Sequence, residues 1–181
     1  MEPNPRDRTA SQITFETTLG RCGLAWSETG VTRVWLPGAR GLAGPGVEEV
    51  DAAQLPPFVA RAIEGMTALY AGTPDDLSDI PFDDREIDDF RRAVYAAARE
   101  IPPGATRSYG ELARAIGRPD GARDVGVALA RNPCPILVPC HRVVAANGAL
   151  TGFSAPGGLE TKRKMLELEG APGYGQQVLF G

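Results

Sequence analysis

The chain has 181 residues, 43% of them apolar and 23% charged, which suits one ordinary globular domain or two small ones with a real core. No apolar run in residues 1–20 resembles a signal peptide and no segment approaches a membrane span, so a cytoplasmic protein with no membrane partner is expected. The net charge of −4 hides an asymmetry: residues 1–89 hold 7 Lys and Arg against 16 Asp and Glu (−9), residues 90–181 hold 12 against 7 (+5).

That polarity fits two solvated surfaces of opposite sign, or a basic half presented to a polyanion. Cys22, Cys134 and Cys140 are an odd number of cysteines without CxxC spacing, which argues against a disulfide framework. With a single histidine they also make a poor zinc site, and no metal or cofactor is expected.

In chain order, residues 1–11 are polar and read as a loose start. Residues 13–18, 22–27 and 31–36 read as strands, the last two joined as a hairpin around Glu28-Thr29-Gly30. The glycine and proline of residues 37–45 predict a loop. Residues 57–70 predict a helix with Phe58, Ala62, Met66 and Leu69 or Tyr70 on one face. Residues 72–89, with eight acidic residues and two prolines, read as a connector. A helix over 87–100 follows, with Ile87, Phe90, Val94 and Ala97 or Ala98 as its stripe, stopped by Ile101-Pro102-Pro103-Gly104. Residues 106–116 and 122–131 predict two short helices about the breaker Gly117-Arg118-Pro119-Asp120-Gly121, a helix-turn-helix candidate. A last helix over 159–169 closes on Gly170, and residues 171–181 read as a flexible tail.

Pro139-Cys140-His141-Arg142-Val143 places a cysteine directly before the only histidine, behind the apolar run Ile136-Leu137-Val138. A free thiol is mostly protonated at neutral pH and needs a base to act as a nucleophile. A cysteine alone in such a run packs as a small hydrophobe; beside the sole histidine, a nucleophile and its base is the sharper reading. Arg107, Arg114, Arg118, Arg131 and Arg142 are candidates for phosphate contact in the basic half.

Ser108-Tyr109-Gly110-Glu111-Leu112-Ala113, Ala122-Arg123-Asp124-Val125-Gly126, Arg131-Asn132-Pro133, the run from Ile136 to Val143, and Thr151-Gly152-Phe153-Ser154 occur in one order across residues 86–170. This arrangement resembles the O6-alkylguanine-DNA alkyltransferase family, the methylated-DNA–protein-cysteine methyltransferases. The resemblance implies an α/β, ribonuclease-H-like N-terminal domain with connector over residues 1–85. It further implies a mainly helical DNA-binding domain with a helix-turn-helix over 86–170, and a flexible tail over 171–181. The implied activity is a single transfer of an alkyl group from O6 of guanine, or O4 of thymine, in duplex DNA to Cys140. His141 is then the base acting through a water, and Glu169 orients it. The damaged base must leave the duplex to be reached. Arg123 would fill its place in the stack, and Tyr109 would contact the base and its phosphate. Phe153, where many relatives carry tyrosine, would pack on the purine, Ser154 would meet the O6 side, and Asn132 would tie the second helix to the cysteine loop.

Residues matching the zinc ligands of metal-bearing relatives are not found, and the regulatory domain of adaptive-response members is not expected. The resemblance makes damaged duplex DNA the partner of a monomer. Gln176-Gln177-Val178-Leu179-Phe180 is similar to the short peptide by which bacterial repair proteins dock on the sliding clamp, against the plainer reading of a free tail. Two other functions compete: a non-catalytic alkyltransferase-like binder, a group that replaces the reactive cysteine, and a cysteine-histidine hydrolase, which leaves the helix-turn-helix unexplained.

Overall fold

The computed structural model describes residues 11–42 and 51–175. Among these residues two small sheets and five α-helices make an α/β arrangement, and no helix is long and apolar enough to cross a membrane. Strands β1 (Ser11–Thr17), β2 (Gly20–Trp26) and β3 (Val31–Trp35) form an antiparallel sheet with β2 in the middle. Helix α1 (Pro57–Tyr70) spans the expected residues and opens on proline, whose fixed φ suits a first helical turn. Val59, Ala62, Met66 and Leu69 recur at helical spacing and are buried with Leu24, Val34 and Leu36 in a first core. The acidic connector is anchored to that core: Leu77 and Ile80 are buried, and both Nη atoms of Arg61 donate to Asp75 at 2.9 Å.

A second core joins three helices. In α2 (Asp89–Arg99) the buried Val94, Tyr95 and Ala98 pack on Leu112 and Ala113 of α3 (Tyr109–Ala115) and on Val125, Ala128 and Leu129 of α4 (Ala122–Ala130). The Tyr95 hydroxyl donates to the Ala128 carbonyl at 2.8 Å. The helix expected over 106–116 starts later, at Tyr109, for two reasons. Arg107–Ser108 (β4) pairs in parallel with Val143–Val144 (β5), and Ser108 with Glu111 forms a reciprocal capping box. Gly117, at φ 73°, ends α3 in the left-handed conformation that glycine adopts freely, and Gly117 N and Arg118 N donate back to Arg114 and Ala113.

Residues 133–144 thread between the cores. Cys134, Ile136 and Leu137 belong to the first, Val138 and Val143 to the second, and Val34 N of β3 donates to Pro133 O at 2.9 Å. Helix α5 (Gly158–Leu168) packs Met165 into the first core and Leu166 beside Val144. The first residues of the segment expected to be a loose tail are instead held to the fold. Ala171 is buried against Leu166, and the Tyr174 hydroxyl donates to Gly148 O at 2.7 Å.

Candidate active site

Cys140 lies where the two cores meet. Pro139 removes a backbone donor, and Cys140–Arg142 closes into one 3-10 turn, with Arg142 N donating to Pro139 O at 2.9 Å. The turn is what sends Cys140 and His141 to different surroundings. Cys140 is half-buried on a cavity of about 440 Å³, shared with Leu129, Asn132, Phe153 and Ser154. His141 is fully buried.

His141 Nε2 is 2.8 Å from Glu169 Oε1, although the residues stand 28 positions apart. The end of α5 sets that carboxylate. Gly170, at φ 72°, follows Glu169, and Gly170 N and Ala171 N donate back to Glu167 and Leu166, the Schellman closure of a helix. Arg142 joins the pair: its Nη2 donates to Glu169 Oε1 at 2.6 Å, its Nε to Oε2 at 3.0 Å, and its Nη1 to Ile101 O at 2.6 Å. Burial alone would push the Glu169 carboxyl up; the bonds from His141 and Arg142 outweigh it and hold it at about 2. An ionised carboxylate only accepts, so Nε2 of His141 carries the proton and Nδ1 is left as the acceptor. Nδ1 is buried and has no partner among the described residues. Burial also lowers the imidazole below its usual range, against the pull of Glu169, so the ring is neutral at pH 7.

The Cys140 thiol is pushed up by burial, while the Asn132 side chain and the Lys162 ammonium act to lower it. Lys162 sits on the inner stripe of α5 and is fully buried. Its Nζ donates to Val143 O at 2.6 Å and Thr151 O at 2.8 Å, and lies 3.5 Å from the Tyr109 hydroxyl. Burial pulls its ammonium down to about 8, against the attraction of Cys140. The Tyr109 hydroxyl donates to Thr151 O at 2.9 Å, and burial raises its phenol. The other thiols are buried, and Cys22 is pushed up to about 11 by burial, as befits a packing residue.

His141 and Glu169 thus meet, Cys140 precedes His141 in the same turn, and Asn132, Phe153 and Ser154 share the Cys140 cavity. Ser154 Oγ donates to Ala130 O at 3.0 Å, and Asn132 Nδ2 to Val138 O at 2.8 Å. Phe153 packs against the first core. Tyr109 stands beside Lys162, and Arg123 is apart from both, exposed in the first turn of α4, its side chain without a hydrogen bond or ion pair to a described residue. Arg142, read from the sequence as a phosphate contact, is 1% exposed and committed to Glu169 and Ile101, so it cannot reach DNA. Sequence reasoning gives Arg142 the wrong role and passes over Lys162. The signal for Lys162 is its spacing, since 162, 165, 166 and 169 fall on one helical face.

A family model for the DNA binding domain of 6-O-methylguanine DNA methyltransferase matches residues 89–171. A methylated-DNA–protein-cysteine methyltransferase of Methanosarcina acetivorans is 39% identical over 162 residues, covering 87% of this chain and 96% of the relative. The protein of that name from Mycobacterium tuberculosis is 43% identical over 125 residues, covering 69% and 73%. A crystal structure of Mycobacterium tuberculosis OGT in complex with DNA superposes with a TM-score of 0.73 at 35% identity, covering 91% of this chain and 96% of that one. An O6-methylguanine-DNA methyltransferase from Pyrococcus kodakaraensis gives 0.64 at 26% identity over 89% and 99%. With a cysteine, a buried histidine and a buried glutamate set as described, the chain belongs to the methylated-DNA–protein-cysteine methyltransferase family.

Proposed function

We infer that this protein repairs duplex DNA by moving an alkyl group from O6 of guanine to Cys140, once per molecule. The observation that carries the reading is a half-buried thiol one residue before a buried imidazole that is paired with Glu169 through Nε2 and has no partner at Nδ1 among the described residues, in a chain of this family. The thiol proton passes through a water to Nδ1 of His141. The thiolate then attacks the alkyl carbon: an S–C bond forms, the C–O6 bond breaks, and guanine leaves with the electron pair on O6, to be protonated there or on the ring. A thioether is not a leaving group here, so Cys140 is consumed.

The remaining roles follow the same reading. The pair α3 and α4 is a helix-turn-helix laid on DNA, within a binding domain over residues 86–170 that follows a ribonuclease-H-like domain over 1–85. Arg123, exposed and unpaired, takes the place of the flipped base. Tyr109 contacts that base, Phe153 packs on it, and Ser154 exchanges its bond to Ala130 for the O6 side, where negative charge develops. Asn132 ties α4 to the cysteine loop. O4-alkylthymine is a second substrate of the same pocket. A cysteine at position 140 favours transfer over a purely binding, alkyltransferase-like role.

The protein is read as a cytoplasmic monomer acting on DNA. The sliding-clamp peptide Gln176–Phe180 lies outside the described residues; its test is whether removing residues 176–181 weakens binding to a clamp. The transfer itself is tested by titrating a fixed amount of protein with excess duplex carrying O6-methylguanine. Repair that stops at one lesion per protein supports the reading, and continued turnover rejects it.

A further inference from the structure

Glu169 is a shared acceptor. Its Oε1 lies 2.8 Å from Nε2 of His141 and 2.6 Å from Nη2 of Arg142, and Nε of Arg142 reaches both oxygens, at 3.2 and 3.0 Å. Both side chains are buried, and Nη1 of Arg142 is held by Ile101 O at 2.6 Å. The guanidinium fork therefore has a fixed seat and faces inward, away from any DNA. A surface helix end has no need of a buried cation, and a buried charge is costly unless it is matched.

The match has a chemical consequence for the neighbouring ring. A buried carboxylate with no cation beside it draws a proton onto an adjoining imidazole, because imidazolium and carboxylate compensate each other. Imidazolium has no lone pair, so Nδ1 is then closed to a proton from water. With Arg142 in place the carboxylate is already compensated, and a proton on the ring would be a like charge to Arg142. The charged groups facing His141 are Glu169 and Lys162 from α5 and its end, and Arg142 and the Cys140 thiol from its own turn. The exposed Asp76 of the connector also feels Arg142. Burial acts most against a charge on the ring, both cations add to that, and only Glu169 acts for it.

We propose that Arg142 is a positioning residue: by holding both oxygens of Glu169 it fixes the proton on Nε2 of His141 and keeps the ring uncharged, with Nδ1 left as a free acceptor. This rests on the reading of His141 as the proton acceptor for Cys140. It gives Arg142 a part in setting the base that is separate from any contact with substrate.

The chain has one histidine, so 15N-histidine labelling gives one pair of ring nitrogens that can be followed against pH. In the intact wild-type protein the neutral Nε2–H form is expected to persist below the ordinary histidine value of about 6.5. In Arg142→Gln both nitrogens are expected to be protonated near neutrality, and Arg142→Lys, which keeps the charge, should restore the neutral ring. Methyl transfer by Arg142→Gln should then be about tenfold slower at pH 6 than at pH 8, where the wild type changes little. A wild-type ring that titrates at or above the ordinary histidine value overturns the proposal, and that measurement needs no variant to fold. So does a ring in Arg142→Gln that stays neutral and Nε2-protonated over the same range. The titration is read without DNA, so a failure of methyl transfer cannot be mistaken for a failure of the charge arrangement.

Discussion

Asn132 holds the Val138 carbonyl and the Cys134 amide at once: Nδ2 donates to the first at 2.8 Å, and Oδ1 accepts from the second at 2.9 Å. The clamp closes the turn in which Ile136, buried and β-branched, is kept at φ 76°, a conformation that costs such a residue about 1–3 kcal/mol. It also links the end of α4 to the backbone two residues before Cys140. Asn132→Ala should therefore destabilise the fold by about 1–3 kcal/mol, the usual penalty for stranding buried backbone groups. Methyl transfer should slow at the same time. Denaturant unfolding paired with single-turnover kinetics checks both; an unchanged rate would mean that the loop keeps its shape without the clamp.

Arg123 offers the opposite case, a side chain with no structural duty among the described residues. Arg123→Ala should leave stability within about 0.5 kcal/mol of wild type. It should slow transfer from duplex DNA by about tenfold or more, since the flipped base loses what holds its place. Transfer from free O6-methylguanine base should be unaffected. Equal slowing with both substrates would move Arg123 out of base flipping.

Lys162 joins β5, the loop at Thr151 and Tyr109 through one ammonium. Its charge favours the Cys140 thiolate, so Lys162→Met removes that support and the thiol rises further. The pH at which the thiolate appears should move upward, and alkylation at neutral pH should slow. Ultraviolet thiolate absorbance against pH, compared with a Cys140→Ser background, reads the shift. An unmoved midpoint would make Lys162 a purely structural tie.

Acid stability follows from the two shifted groups of the relay. Both bind fewer protons folded than unfolded, so stability rises with pH. His141, lowered by burial, loses its contribution as pH falls below the ordinary 6.5, and Glu169 loses its own as pH falls from 4.5 toward about 2. Glu169→Gln should destabilise the protein by about 3–5 kcal/mol at pH 7, because Arg142 is left buried and unmatched. It should also flatten the loss of stability below pH 4.5. Unfolding free energies at neutral, mildly acidic and strongly acidic pH test both signs.

The strands, α1 and the cysteine–histidine pair are legible in the sequence because each has its own local signal: alternation, helical spacing under a proline, and a unique residue pair. The late start of α3 is not visible by periodicity, since a two-residue parallel pairing such as Arg107–Ser108 with Val143–Val144 has no period. The Ser108–Glu111 capping box is a written signal that marks it. Lys162 and Arg142 escape for a different reason. Arg142 reads as one more basic residue for phosphate and Lys162 lies in the charged run Thr161-Lys162-Arg163-Lys164, which carries no local sign of burial; only the meeting of α5 with the cysteine turn shows where those charges are needed. Glu169 is reached from the sequence through family resemblance; its pairing with His141 depends on how α5 ends, at Gly170.

The central claim is that Cys140 is the acceptor of the alkyl group. Intact-protein mass spectrometry after incubation with duplex DNA carrying O6-methylguanine tests it most directly, with peptide mapping to place the added mass. The account predicts a gain of one methyl group per molecule, on Cys140 alone, and none in Cys140→Ser. A methyl group found on another residue, a gain that persists in Cys140→Ser, or no gain while the lesion disappears would contradict it.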